Sequence, residues 1–214
     1  MSATAEVHVH HDPPVVVARR DRMGVLLLIV ADIAFVLCLI FTYLYLRFLN
    51  VNGMWLPEEV TPAESGMTWV INGVLIIGAV MSWAGLRGLR QGRAPVLVTT
   101  SALALIIAIT ALVLQWWHLA NYGFPSAENG YFASAYSSTM VALAGANIFH
   151  ILLTVIIALG LLSRSLMGKY SAENPWQPQL GAYWWTWVAV SSILVGLVTT
   201  FLVASPYPPS MPPM

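Results

Sequence analysis

Five long apolar runs, separated by short polar segments, set the hydrophobic pattern of this chain. A hydrocarbon layer about 30 Å thick is crossed by roughly 20 apolar residues in a helix. Residues 23–48, 67–89, 94–118, 136–163 and 181–204 each reach that length. Backbone facing lipid has to satisfy its own N–H and C=O groups, which predicts a helix for every run. The alternating segments of about ten residues that build a membrane β-barrel are not present in the sequence. The pattern therefore predicts an all-α integral membrane bundle of five transmembrane helices in one domain. A polar segment, residues 1–22, precedes it and is expected to be a mobile cytoplasmic tail. It carries His8, His10, His11 and Asp12 and lacks the basic start and apolar core of a signal peptide. The proline-rich residues 205–214 cannot continue a helix, because proline removes a donor and blocks the turn. They are expected to lie extended on the outer surface or against a partner.

Charge fixes an orientation for this pattern. Arg19, Arg20 and Arg22 precede the first span, Arg87, Arg90 and Arg93 join the second to the third, and Arg164 and Lys169 follow the fourth. Alternating helices put all of these on one side. Arg47 stands alone opposite them, with Glu58, Glu59, Glu64 and Glu128. The positive-inside rule then places the N-terminus in the cytoplasm and the C-terminus outside. Trp55, Trp69, Trp116, Trp117, Tyr122, Trp176, Tyr183, Trp184 and Trp185 fall near span ends and read as an anchoring belt in the headgroup layer.

Composition agrees: 58% of the 214 residues are hydrophobic and 8% charged, against about 25% charged in soluble domains. Nine basic residues balance nine acidic ones, so no cationic surplus marks a nucleic-acid partner. The single cysteine, Cys38, lies in an apolar run and reads as a small buried apolar residue. Candidate chemistry is confined to polar groups that hydrocarbon rejects. Asp32 is the only charged residue deep in a span, about 15 Å in from Arg22 at 1.5 Å per residue. His150 lies roughly 21 Å in from Arg164 on the same scale. Asn72 and Asn147 share that level, and Asn147 is one turn from His150 on the same helical face. Neighbouring first and fourth helices would thus bring Asp32 within reach of His150 or an asparagine. A satisfied polar clasp is the preferred reading of Asp32, ahead of proton uptake. His118 is expected at the outer interface. Two histidines at different depths supply too few converging ligands for a haem or copper centre. Small residues in the second span (Gly78, Ala79, Ser82, Ala84, Gly85) and fourth span (Ala142, Ala144, Gly145, Ala146) mark close helix contacts.

The run Met23-Gly-Val-Leu-Leu-Leu-Ile-Val-Ala-Asp32-Ile-Ala-Phe, continuing to Thr42-Tyr-Leu-Tyr-Leu-Arg47, resembles subunit III of haem–copper terminal oxidases. Asp32 falls on that family's membrane carboxylate. Asn72 to Ala79 is similar to the next family helix. Gln115-Trp-Trp-His118 resembles a Gln-x-x-Glu pattern, with histidine in place of glutamate. Ala144-Gly-Ala-Asn-Ile-Phe-His150-Ile resembles Thr-Gly-x-His-Gly-x-His-Val, and Trp185-Thr-Trp-Val-Ala189 resembles Trp-His-Phe-Val-Asp. The order holds through all five spans, and the departures at His118, Asn147, Thr186 and Ala189 mark a divergent branch.

The resemblance implies a non-catalytic subunit of an oxidase that reduces oxygen to water and pumps protons. It implies residence in a bacterial cytoplasmic membrane and packing against the catalytic subunit I and other oxidase subunits. Haem and copper would belong to that partner, with no cofactor or metal on this chain. Membrane phospholipid would bind between helices. Asp32 would support proton uptake or act as a clasp, with Asn72, Gln115, Asn147 and His150 as polar groups of the bundle interior. Two other classes compete: a subunit-III-like partner of a nitric oxide reductase, and an autonomous small proton-conducting or transport protein.

Overall fold

The structure, a computed structural model, describes residues 13–50, 55–58, 60–124 and 134–206, and all regular structure among them is helical. The helices are α1 (Pro14–Leu49), α2 (Ser65–Arg90), α3 (Ala94–Ala120), α4 (Ala135–Leu166) and α5 (Trp176–Phe201). All five are long and apolar enough to cross a membrane. They follow the five apolar runs closely, with two differences. Helix α1 starts at Pro14, so residues 14–22 are helical and extend the first span as a basic turn-rich stem. Proline fits there because its missing N–H is one that the first turn leaves unpaired anyway. Helix α5 starts at Trp176, ahead of the apolar run, and ends at Phe201. The remainder of the expected tail, residues 1–12, lies outside the described residues, as do 207–214 of the proline-rich end.

Local signals account for the other ends. Ser134 caps α4 in a reciprocal box with Ser137, each hydroxyl taking the other's backbone N–H. Helices α2 and α4 both stop in the same way. Gly92 and Gly168 adopt φ values of 74° and 64°, which a residue with a Cβ resists. Arg93 N–H then reaches Gly88 O, and Lys169 N–H reaches Arg164 O, satisfying carbonyls the helix leaves open.

Helices α2, α3, α4 and α5 close a ring in which each packs on the next, and α1 lies in the groove between α4 and α5. Helix α1 touches neither α2 nor α3. Its inward stripe, Ile29, Ile33, Val36, Ile40 and Tyr43, repeats every three or four residues, and these side chains pack against the core. Tyr43 donates to Leu202 O and Arg47 to Ala204 O at one end; Arg22 reaches Gln179 at the other. The start of α1 and the end of α5 therefore lie at opposite ends of the bundle. Arg19, Arg20, Arg22, Arg87, Arg90, Arg93, Arg164 and Lys169 gather at one end, called here the basic end; Glu58 and Glu64 mark the other.

Two sequence expectations fail in the core. Trp55, Trp184 and Trp185 are buried rather than belted around the surface, whereas Trp116 and Trp117 do point outward. Trp185 lies flat over Gly78, where a Cβ would collide with its ring, and Trp55 donates to Val203 O at 2.9 Å. The Trp185 indole fills the space that Gly78 on α2 leaves open. Cys38 is exposed on α1, because it sits opposite the inward stripe.

Candidate functional site

The groove position of α1 decides where its one buried-face charge goes. Asp32 borders the inward stripe beside Ile33 and is turned between α4 and α5, with its side chain 15% exposed. His150 Nε2 on α4 lies 3.0 Å from Asp32 Oδ1, and the Trp187 indole N–H on α5 donates to Asp32 Oδ2 at 2.5 Å. Both carboxylate oxygens are thus engaged by two different helices. His150 is 3% exposed and is held by the edges of Phe35 and Trp184. One turn on, Thr154 donates to His150 O and accepts from the Trp184 indole at 3.0 Å, tying α4 to α5 below the pair. The carboxyl–imidazole and carboxyl–indole contacts tie α1 to α4 and α5 at one residue.

The other polar residues divide into further pairs. Asn147 donates to Gln115 Oε1 on α3 at 2.7 Å, so it joins α4 to α3 and does not pair with Asp32. Asn72 on α2 accepts from Ser192 on α5 at 2.6 Å. Its Nδ2 is buried and has no partner among the described residues, and it lies where Gly196 leaves room that a Cβ would fill. His118, in the last turn of α3, is turned into the bundle and is 4% exposed. Its Nε2 stands 3.3 Å from Thr68 Oγ1, and its ring meets Tyr122 edge-on. The closed ring of α2 to α5 covers the face on which His118 sits. Burial, and then the nearby Tyr136 phenol, push the Tyr122 hydroxyl above its ordinary ionisation range, leaving it neutral at physiological pH.

Sequence alone gives Trp187 no role, and its depth relative to Asp32 follows only once the Arg22–Gln179 contact aligns α1 with α5. Trp187 lies eight residues beyond Gln179, the partner of Arg22, and Asp32 lies ten beyond Arg22. At 1.5 Å per residue the two differ by about 3 Å in depth. Among the described residues no group of three His, Cys, Asp or Glu side chains converges.

The chain matches no protein-family model and no curated protein.

Proposed function

We propose that this chain is a non-catalytic subunit, of the subunit III type, of a haem–copper oxidase in a bacterial cytoplasmic membrane, with its basic end toward the cytoplasm. The observation that carries the reading is the Asp32 clasp. Asp32, which the resemblance sets on the family's membrane carboxylate, joins α1 to both α4 and α5. A second feature supports a subunit role. The outward face of α1, with Leu27, Val30, Leu37 and Phe41 more than half exposed, stays uncovered by the chain's own helices. Such a face suits lipid or another membrane helix. Haem and copper would be held by the catalytic partner, and oxygen reduction would take place there.

The test is a visible spectrum of the complex captured from native membranes through a tag on this chain. Reduced-minus-oxidised haem bands are the expected result, together with oxygen consumption. Absence of haem absorption would overturn the reading. Haem bands accompanied by nitric oxide consumption in place of oxygen consumption would move the chain to a nitric oxide reductase.

A further inference from the structure

Two small cavities lie between the Asp32–His150 pair and the Glu64 end of the bundle. The first, about 10 Å³, has His150, Asn147 and Ser191 on its wall. The second, about 20 Å³, is walled by Thr68, Gln115, His118, Tyr122, Ser192 and Thr199. Leu143, Asn147 and Val195 line both, so the two adjoin across the Asn147 side chain. A buried water needs roughly 10–15 Å³ and two to four polar partners. The smaller cavity just admits one water and the larger one holds one comfortably. The unpartnered Asn72 amide, 1% exposed, is linked to the larger cavity through Ser192, and orphan buried donors of this kind are ordinarily satisfied by ordered water.

Direction comes from the ends of this series. At its far end His118 stands 3.3 Å from Thr68 Oγ1 in the first turns of α2, and Glu64 is exposed at the N-cap of that helix. Toward the basic end, among the described residues, the packing changes. A third cavity of about 20 Å³, lined by Ser82, Thr100, Ser101, Ala158 and Trp185 among others, shares no residue with the first two. Thr154, fully buried, and Trp184 close the space directly below His150.

We propose that the two adjoining cavities are water sites, forming with His118 a hydrated file that lets the Asp32–His150 pair exchange protons with the Glu64 end of the bundle and not with the basic end. A proton entering from solvent is accepted by the His118 ring, which releases one to the first water. Each water passes on one proton as it accepts another, and the pair receives the last. No electron moves and no bond to carbon is made or broken. The Asn147 and Gln115 amides position water and carry no charge. The titratable groups along the file are Asp32 on α1, His150 on α4, His118 on α3 and Tyr122 after it, and Glu64 before α2. This inference stands on the cavities and is independent of any oxidase partner.

The experiment uses the full chain in lipid bilayers, labelled with ¹⁵N, and solid-state NMR transfer from water protons. Transfer to the His118, Gln115 and Asn147 side chains, with none to the Trp184 indole, is expected; no transfer to those three side chains overturns the proposal. Exchange of the His150 ring proton with deuterated water then tests the direction. Ala144→Leu, which fills the larger cavity, is expected to slow it at least tenfold, and Ala158→Leu, which fills the third cavity, to leave it unchanged. Should Ala144→Leu fail to fold, the smaller change Thr199→Val is expected to slow exchange several-fold. Slowing by Ala158→Leu alone, or by none of the variants, overturns the direction assigned.

Discussion

At Asp32 a carboxyl group is held by an imidazole and an indole from separate helices. Removing one partner of a buried hydrogen bond generally costs about 1–3 kcal/mol, because the other is left unsatisfied. His150→Ala is therefore expected to destabilise the folded bundle by about 2–3 kcal/mol in reversible unfolding from bilayers. It also strips a hydrogen bond from the carboxyl group, so the infrared carboxyl band should shift; a band identical to the native one would exclude the pairing. Trp187→Phe keeps the ring and removes a single donor. Its expected cost is smaller, about 1–2 kcal/mol in the same unfolding assay. Depth brings Asp32 within reach of His150 or an asparagine provided that α1 and α4 are neighbours, and the packing selects His150. What depth does not give is azimuth. Asn147 lies one turn from His150, yet it faces Gln115 across α3, and only the packing order of the helices decides which neighbour each side of α4 meets.

Among the helices, α2 and α5 approach through matched large and small residues. Gly78 receives the face of Trp185, and Gly196 makes room for the Asn72 amide. Gly78→Ala adds a methyl where the indole ring already sits, and overpacking of this kind costs about 1–3 kcal/mol. The same change at Gly145, around which a Cβ would meet nothing within 4 Å, is expected to be neutral in that assay. The small-residue stripe of α2 was readable in the sequence and the one on α4 looked equivalent, although Gly145 has no close neighbour. Composition identifies surfaces capable of close approach; it does not say which are used. The tryptophans show the same limit. Trp184 and Trp185 stand near a span end by position, and the ring of α2 to α5 closes over them, so side-chain direction makes them core. Helix positions themselves were read well, because length and apolarity are what a bilayer demands.

Taken as a whole, the molecule is a closed four-helix ring with a fifth helix laid in one outer groove. Cys38 on that outer helix is exposed and is the only cysteine in the chain. A nitroxide attached there should show high accessibility to oxygen dissolved in the lipid when the chain is alone in bilayers. If a partner subunit covers α1, that accessibility should fall in the captured complex; an unchanged value would place the partner elsewhere. The groove arrangement also carries a consequence for biosynthesis. Helix α1 leaves the ribosome before α4 and α5, which form both walls of its groove. Trp187 follows Asp32 by 155 residues, about 8–30 seconds of synthesis at common rates. For the first 118 of those residues the aspartate has neither of its eventual partners, since His150 also follows it, and the long apolar stretch around it has to hold the helix in the bilayer against a penalty of about 2.5–3.5 kcal/mol. Helices made later, α4 and α5, thus give α1 its place.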